Sequence, residues 1–267
     1  EEHQEAVLDN IPVISLDENE LNDGSSQNVS SVLTAGRDPF FSASAYNWSP
    51  VRFRIRGYDA DMFSTYMNGI PMENLDNGFT PFGLWGGLND VLRNREISIG
   101  LRYNTFAFGD IGSNTNIDSR ASKQRKQTSL SYAYSNRNYN HRIMLTHSTG
   151  LSKKGWAFTV SGSRRYAGEG YVPGSYYDGW SYFAAIDKKI GEKHLLSLTG
   201  FGAPTESGRQ GPAVTEMIKL AGTNFYNPFW GYQNGKVRNA SIAKTHQPYI
   251  ILTHDFRISN TTNLTTA

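Results

Sequence analysis

The feature that most restricts the fold of this chain is a strict alternation in its second half. From Thr128 to Asn136, Leu130, Tyr132 and Tyr134 alternate with Ser129, Ser131, Ala133 and Ser135. From Trp156 to Arg165, Trp156, Phe158 and Val160 alternate with Ala157, Thr159, Ser161 and Ser163. Shorter copies follow at Ile143 and Leu145, at Tyr182, Ala184 and Ile186, at Leu196 and Leu198, and at Ile250, Leu252, Phe256 and Ile258. Successive side chains of a strand point to opposite faces, so each segment carries one apolar face and one face of small polar residues. Segments of about ten residues with these two faces, and with Tyr and Trp near their ends, are the pattern of a membrane β-barrel.

The connections sort in the same way. Gly150 to Gly155, Ile190 to Lys193 and Ser259 to Thr262 are short, whereas the intervening links are Arg137 to Asn140, Ala167 to Gly179 and the very long Pro204 to Gln247. Short turns on one rim and long loops on the other are expected of an outer-membrane barrel; a soluble sandwich has no reason to sort its loops. No apolar run approaches the ~18 residues of a spanning helix. The low mean hydropathy is compatible with spanning strands, because half of their residues face a polar lumen.

Composition narrows the function. Aromatics make up 13% of the 267 residues, with 15 Tyr and 26 Gly, which favours strands and glycine-rich turns over helical bundles. A net charge of +2 gives no electrostatic footprint for nucleic acid. With no cysteine there is no disulfide, thiolate zinc site or cysteine nucleophile in this segment. The 6 histidines are scattered without metal-ligand spacing. Glu169 and Asp178 flank a loop, but in a stretch rich in Tyr and Gly they read as solvated or hydrogen-bonded side chains rather than a catalytic pair. Gly168-Glu169-Gly170 lacks the third glycine of a dinucleotide loop. No catalytic residue, metal site or cofactor is expected.

The first half reads differently. Val51, Phe53 and Ile55 alternate with Arg52, Arg54 and Arg56 up to Gly57, a strand whose three guanidiniums need carboxylates or water. Tyr66-Met67 then leads into Asn68-Gly69, a dipeptide suited to a tight hairpin turn, and Ile70 is held extended by Pro71. Ile11 to Leu16 predicts a short strand, and Val29, Val32 and Leu33 a brief helix. Ala213 to Leu220 predicts a short helix within the longest loop.

Phe-Arg-Ile-Arg-Gly followed by Tyr-Met-Asn-Gly-Ile-Pro-Met resembles the plug domain of TonB-dependent outer-membrane receptors, with Asn68 where an aspartate is usual. Leu88 to Gly100 resembles that domain's short helix and following strand, although Leu101 stands where proline is usual. Phe106 to Asp118 resembles its last element in outline, with Gly112-Ser113-Asn114 in place of a double glycine. The resemblance covers roughly residues 11 to 122. It implies a mainly β chain of three parts: a flexible segment 1–10, a small α+β plug 11–122, and the first part of a transmembrane antiparallel β-barrel over 123–267. Such barrels close with about 22 strands. This chain supplies six strands and the start of a seventh, and it begins without methionine, so it reads as a piece of a longer protein.

By that resemblance the protein is an outer-membrane receptor, its plug facing the periplasm and its long loops extracellular. It takes up a ligand too large or scarce for porins, energised by TonB and its inner-membrane partners. Val7, Leu8 and Ile11 are the expected TonB contact, and Arg52, Arg54 and Arg56 anchor plug to barrel wall. Asn74, Asp76, Asn77 and Phe79 at the plug apex are expected to touch ligand, as are Tyr171, Tyr176, Tyr177, Trp180, Phe225, Tyr226, Phe229 and Trp230 in the loops. The alternative for these aromatics is that they pack the loops onto each other. Outer-membrane lipids are the expected surroundings, with a surface lipoprotein lid or other outer-membrane subunits as further partners. The alternative function is a receptor-like barrel serving as a structural subunit of an outer-membrane assembly.

Overall fold

A computed structural model of the protein describes residues 58, 62–76, 78, 80–101, 111–134 and 138–267. Val7, Leu8, Ile11, Arg52, Arg54, Arg56, Asn77 and Phe79 lie outside those residues, as do the expected strand at Ile11 to Leu16 and the helix near Val29.

Among the described residues the small N-terminal unit has four strands: β1 (Phe63–Met67), β2 (Ile70–Pro71), β3 (Arg95–Ile99) and β4 (Ser113–Ile117), in the order β2-β1-β4-β3. Asn68 (φ 51°) and Gly69 (φ 88°) make the expected tight turn between β1 and β2, pairing Met67 with Ile70. β1 runs parallel to β4, which is antiparallel to β3. The helix expected after Gly87 is not formed. Leu88–Leu92 closes a single turn, with the N–H groups of Val91 and Leu92 both donating to the Leu88 carbonyl at 3.2 Å. Leu88, Val91 and Leu92 are all buried, so packing rather than helical propagation fixes this turn.

The second unit is a meander of long strands: β5 (Gln127–Tyr134), β6 (His141–Ser148), β7 (Trp156–Ala167), β8 (Tyr177–Ile190) and β9 (His194–Gly202). The longest connection then contains β10 (Thr205–Gly208), the helix α1 (Thr215–Ala221), β11 (Trp230–Gln233), β12 (Lys236–Asn239) and β13 (Ile242–Thr245). β14 (Tyr249–Arg257) and β15 (Asn263–Thr266) follow. Neighbours pair antiparallel in the order β15-β14-β9-β8-β7-β6-β5, so the six expected strands and the beginning of a seventh are all present. α1 overlaps the helix expected at Ala213 to Leu220, and it ends at Gly222 in the left-handed conformation.

The polarity of this sheet is inverted relative to a soluble one. Cross-strand register aligns Phe158, Ile186, Leu198 and Leu252 in one row, and that row faces outward. On the same face Leu130 is 71% exposed and Leu252 62%. The opposite face carries Ser148, Thr159, Ser161, Ser163, Ser197 and Thr199, with Thr159 at 1% and Thr199 at 0%. Hydroxyls pair along it, Thr146 with Ser161 at 2.7 Å and Ser148 with Thr159 at 2.9 Å.

What covers the polar face is the small unit. Met67, Met72, Trp85, Leu88, Val91, Leu92 and Ile117 form one apolar cluster with Ala157, Phe183, Ala185, Phe201 and Ile251 of the sheet. Around that contact run polar ties. Ser163 Oγ donates to the Gly87 carbonyl at 2.8 Å, and the backbone N–H of Ser122 donates to Asp187 at 2.7 Å. Arg120 pairs with Asp118 at 2.6 Å and with Asp255 of β14. Burial opposes the charge on Arg120, but the hydrogen bonds and charges of the two aspartates outweigh it and raise its pKa. The arginine strand expected to anchor the first unit lies outside the described residues.

The outward face is ringed at both ends. At the short-turn end Lys188 lies 4.5 Å over the Trp156 ring, which stacks on Phe158. At the long-loop end Arg164 lies 4.7 Å over Trp180 and 5.1 Å over Tyr166 while donating to Asp178 at 3.1 Å. From Trp156 to Tyr166 is about 33 Å of strand at ~3.3 Å per residue, which at a tilt of ~40° spans roughly 25 Å, the height of a lipid-facing band.

Candidate functional site: a cavity at the long-loop end

At the end of the sheet that carries the long connections, β10 and β13 extend the wall beyond β8. Glu206 pairs with Lys244 and Thr205 with Thr245, so charged and uncharged residues alternate. Thr205, Ser207, Ala243 and Thr245 turn toward a cavity of about 760 Å³, whereas Glu206 and Lys244 join each other at 2.9 Å and are not part of its lining. The rest of the lining comes from the small unit (Pro81, Gly83, Leu84), from Tyr171, Tyr176 and Tyr177, and from the Arg209–Pro212 segment. The volume lies within the ~300–1,000 Å³ of small-ligand sites.

Each tyrosine is held differently. Tyr177 is buried against Tyr139 at 5.8 Å, and the Arg165 guanidinium sits 5.3 Å from its ring centre. Tyr176 donates its hydroxyl to Glu206 at 2.8 Å. Desolvation, reinforced by that acceptor, pushes its pKa up to about 12, so the phenol stays protonated. Lys244 and then Tyr176 hold Glu206 below the usual carboxylate range. A Cβ at Gly208 would lie 2.8 Å from the Tyr176 ring, so only glycine lets that ring lie where it does. Tyr171 meets Phe225 edge to face at 6.2 Å.

Two buried asparagines fasten the loops behind the cavity. Asn227 Nδ2 donates to the carbonyls of Pro173 at 3.1 Å and Arg209 at 3.3 Å, and its Oδ1 accepts from the N–H groups of Gly211 and Phe229. Asn239 Nδ2 donates to the carbonyls of Gly174 at 2.9 Å and Arg209 at 2.8 Å, and its Oδ1 accepts from the Ser241 N–H at 2.8 Å. Both loops are therefore tied to the same carbonyl, that of Arg209. Such an arrangement presents a preformed surface, which reduces the ordering cost of binding.

Of the expected ligand contacts, the structure brings Tyr171, Tyr176 and Tyr177 together at the cavity. Phe225 braces Tyr171, Phe229 packs on Gly211, and Trp230 covers Gly174 and meets Tyr232 at 5.6 Å. These three pack loop on loop, and Tyr226 is half-buried in the same stretch without lining the cavity. Trp180 is not a loop residue: β8 begins at Tyr177, and the indole faces outward beside Arg164. Asn74 and Asp76 are exposed in the turn after β2 and do not line the cavity. Arg209, Gln210, Asn138 and the β10–β13 hydroxyls line it without having been expected. Among the described residues no group of three or more His, Cys, Asp or Glu is placed to hold a metal ion.

No protein-family model matches the chain, and no curated protein does. Among solved structures it is similar to the copper transporter OprC, at 16% identity and a TM-score of 0.43 over 58% of this chain and 25% of that one. It is also similar to the unliganded ferric citrate transporter FecA, at 13% identity and 0.48 over 75% and 29%, and to FpvAI in its complex with pyocin S2, at 11% and 0.49 over 76% and 27%. The chain thus spans between a quarter and a third of the length of these proteins.

Proposed function

We propose that this chain is the plug and first wall strands of a TonB-dependent outer-membrane receptor, and that its ligand enters at the cavity between the long loops and the top of the plug. The observation that carries this reading is the inverted sheet: its apolar face is the uncovered one, and its hydroxyl-lined face is covered by the small unit. A sheet in water gains by the opposite arrangement, whereas in lipid an outward apolar band between two aromatic rings is the stable one. On this reading the cavity opens away from the short turns and faces the outside of the cell. The plug fills the lumen beneath it. Uptake requires that the plug move, and TonB pulling on the segment that includes Val7, Leu8 and Ile11 supplies the work.

The test uses the full-length protein in its own envelope. It should fractionate with the outer membrane, and deletion of residues 1–10 should leave surface binding intact while abolishing ligand uptake. Recovery in the soluble periplasmic fraction would refute the membrane assignment. Uptake unaffected by the deletion would refute energised transport through that segment and leave the structural-subunit role.

A further inference from the structure

Among the described residues that line the cavity, Arg209 is the one that carries a charge, and none of them is a carboxylate. Its backbone is fixed on both sides. The N–H donates to the Ser241 carbonyl at 2.8 Å, and its carbonyl accepts from both Asn227 and Asn239. Its guanidinium is exposed and has no hydrogen-bond or ion-pair partner among the described residues. The acids nearby are otherwise engaged: Glu206 by Lys244 and Tyr176, Asp178 by Arg164, and Glu169 by the Gly174 N–H at 3.0 Å.

A guanidinium on a rigid backbone, in a recess whose described lining holds no acid, is arranged for an incoming anion. Its planar fork pairs best with a carboxylate, through two parallel hydrogen bonds. The remaining lining is uncharged. Tyr171 and Tyr176 offer ring faces, and Asn138, Gln210, Ser207 and Thr245 offer amides and hydroxyls. Aromatic faces with neutral donors and acceptors suit flat, polyhydroxylated rings. We infer that the cavity takes an acidic oligosaccharide, its carboxylate held by Arg209 and its sugar rings lying against Tyr171 and Tyr176. A ligand bearing many negative charges would meet a single cation among the described lining residues, so one carboxylate per bound segment matches them.

This inference rests on the receptor reading and is tested separately from it. Purified full-length receptor in detergent is titrated calorimetrically with uronate-bearing oligosaccharides and with the same chains after methyl esterification, which keeps the rings and removes the charge. The acidic chains should bind at least tenfold more tightly than their esters, and the preference should weaken as salt is raised. Arg209→Gln should abolish the preference, bringing the affinity for the acidic chains down to that of their esters. Arg209→Lys should keep part of it, since the charge remains and the fork is lost. Unchanged electrophoretic heat-modifiability of both variants shows that the barrel is intact. Equal binding of acids and esters, a preference that survives Arg209→Gln, or no binding of any uronate chain by a receptor located in the outer membrane would each overturn the inference. That last outcome leaves the receptor reading standing, whereas a protein absent from the outer membrane ends both.

Discussion

Arg165 Nη2 donates to the carbonyl oxygen of Gly86 at 3.0 Å, so a wall strand holds the plug from beneath the cavity. The same guanidinium lies against Tyr177, which lines the cavity. One buried cation therefore joins a cavity-lining tyrosine of the sheet to the small unit. A hydrogen bond from a charged donor contributes about 1.5–3 kcal/mol, and more is lost when a buried partner is left unmated. Arg165→Met should speed hydrogen exchange of the Trp85–Leu92 amides by roughly ten- to a hundredfold while β7 itself stays protected. Arg165→Lys should not restore protection, since a lysine cannot serve the carbonyl and the ring together. Unaltered exchange in the methionine variant would show that the plug is held without this contact.

Gly87 sets how closely the plug approaches the wall. Its φ of +88° disfavours other residues, and an added Cβ would stand 2.7 Å from Ser163 Oγ and 2.9 Å from Ser181 Oγ. Gly191 provides the control: its φ is +59°, and a Cβ there meets nothing within 4 Å. Gly191→Ala should cost only the left-handed backbone strain, ~1–2 kcal/mol. Gly87→Ala should cost that and about 1–3 kcal/mol of overpacking besides. Denaturant titration monitored by Trp85 fluorescence would measure the difference, and equal losses would mean that the plug shifts freely to make room.

Strands were legible in this chain because a two-residue period follows directly from strand geometry, and Leu130, Tyr132 and Tyr134 needed no tertiary context to declare their face. Which face would be buried was legible only through the sorted loops. The Asn68-Gly69 turn was equally plain, but not why asparagine stands there. Its Oδ1 accepts from the Ser119 N–H at 2.8 Å and its Nδ2 donates to Thr199 Oγ1, 131 positions away, at 3.4 Å, a donor that aspartate would lack. Trp180 was misplaced because Gly179 reads as a loop end, whereas β8 continues through it with the Tyr177 ring folded over the space a Cβ would fill. Arg209 was missed because its neighbours Gly208, Gln210 and Gly211 look like any solvated loop. Its significance depends on carboxylates that turn away and on asparagines brought from 18 and 30 positions along the chain.

The two asparagines give a separable prediction. Asn227→Ala or Asn239→Ala removes two or more buried hydrogen bonds, about 1–3 kcal/mol for each group left unsatisfied. These bonds lie within the loops, so thermal unfolding of the barrel should be unchanged. Limited proteolysis should instead cut between Gly211 and Gln233 at least tenfold faster, and ligand affinity should fall through a faster off-rate. The double variant should exceed the sum of the single ones, because either side chain alone still satisfies the Arg209 carbonyl and only their joint loss leaves it bare. Strictly additive effects would mean that the loops are fastened independently.

Tyr176 makes the cavity sensitive to alkali. Its folded pKa, raised to about 12, lies above the ordinary value of 10.0, so the fold favours the protonated phenol. The stabilisation it contributes is complete below pH 10 and is lost as pH rises toward 12. Tyrosinate absorbance should therefore lose one late-titrating tyrosine in Tyr176→Phe. Glu206→Gln removes the negative acceptor but not the desolvation, so it should bring that titration only part of the way down. A titration unmoved by Glu206→Gln would assign the whole shift to burial.

The inverted sheet makes the strongest demand on the surroundings. Leu198 lies in the outward row with Phe158, Ile186 and Leu252, while its neighbour Thr199 is fully buried beneath the plug. In water, Leu198→Arg would be harmless or mildly favourable, since it replaces an exposed apolar side chain with a charge. In a bilayer the same change puts a guanidinium near the middle of the apolar band, at a cost of about 2–4 kcal/mol. Leu198→Arg should therefore slow insertion of the full-length protein into lipid vesicles and lower its urea midpoint there. In detergent micelles, where water and headgroups reach the charge, most of the loss should disappear. Leu198→Ala separates charge from volume: it should cost about 1 kcal/mol or less in either medium. A Leu198→Arg protein as stable in vesicles as the parent would mean that this face meets water or protein, and the receptor assignment would fall with it.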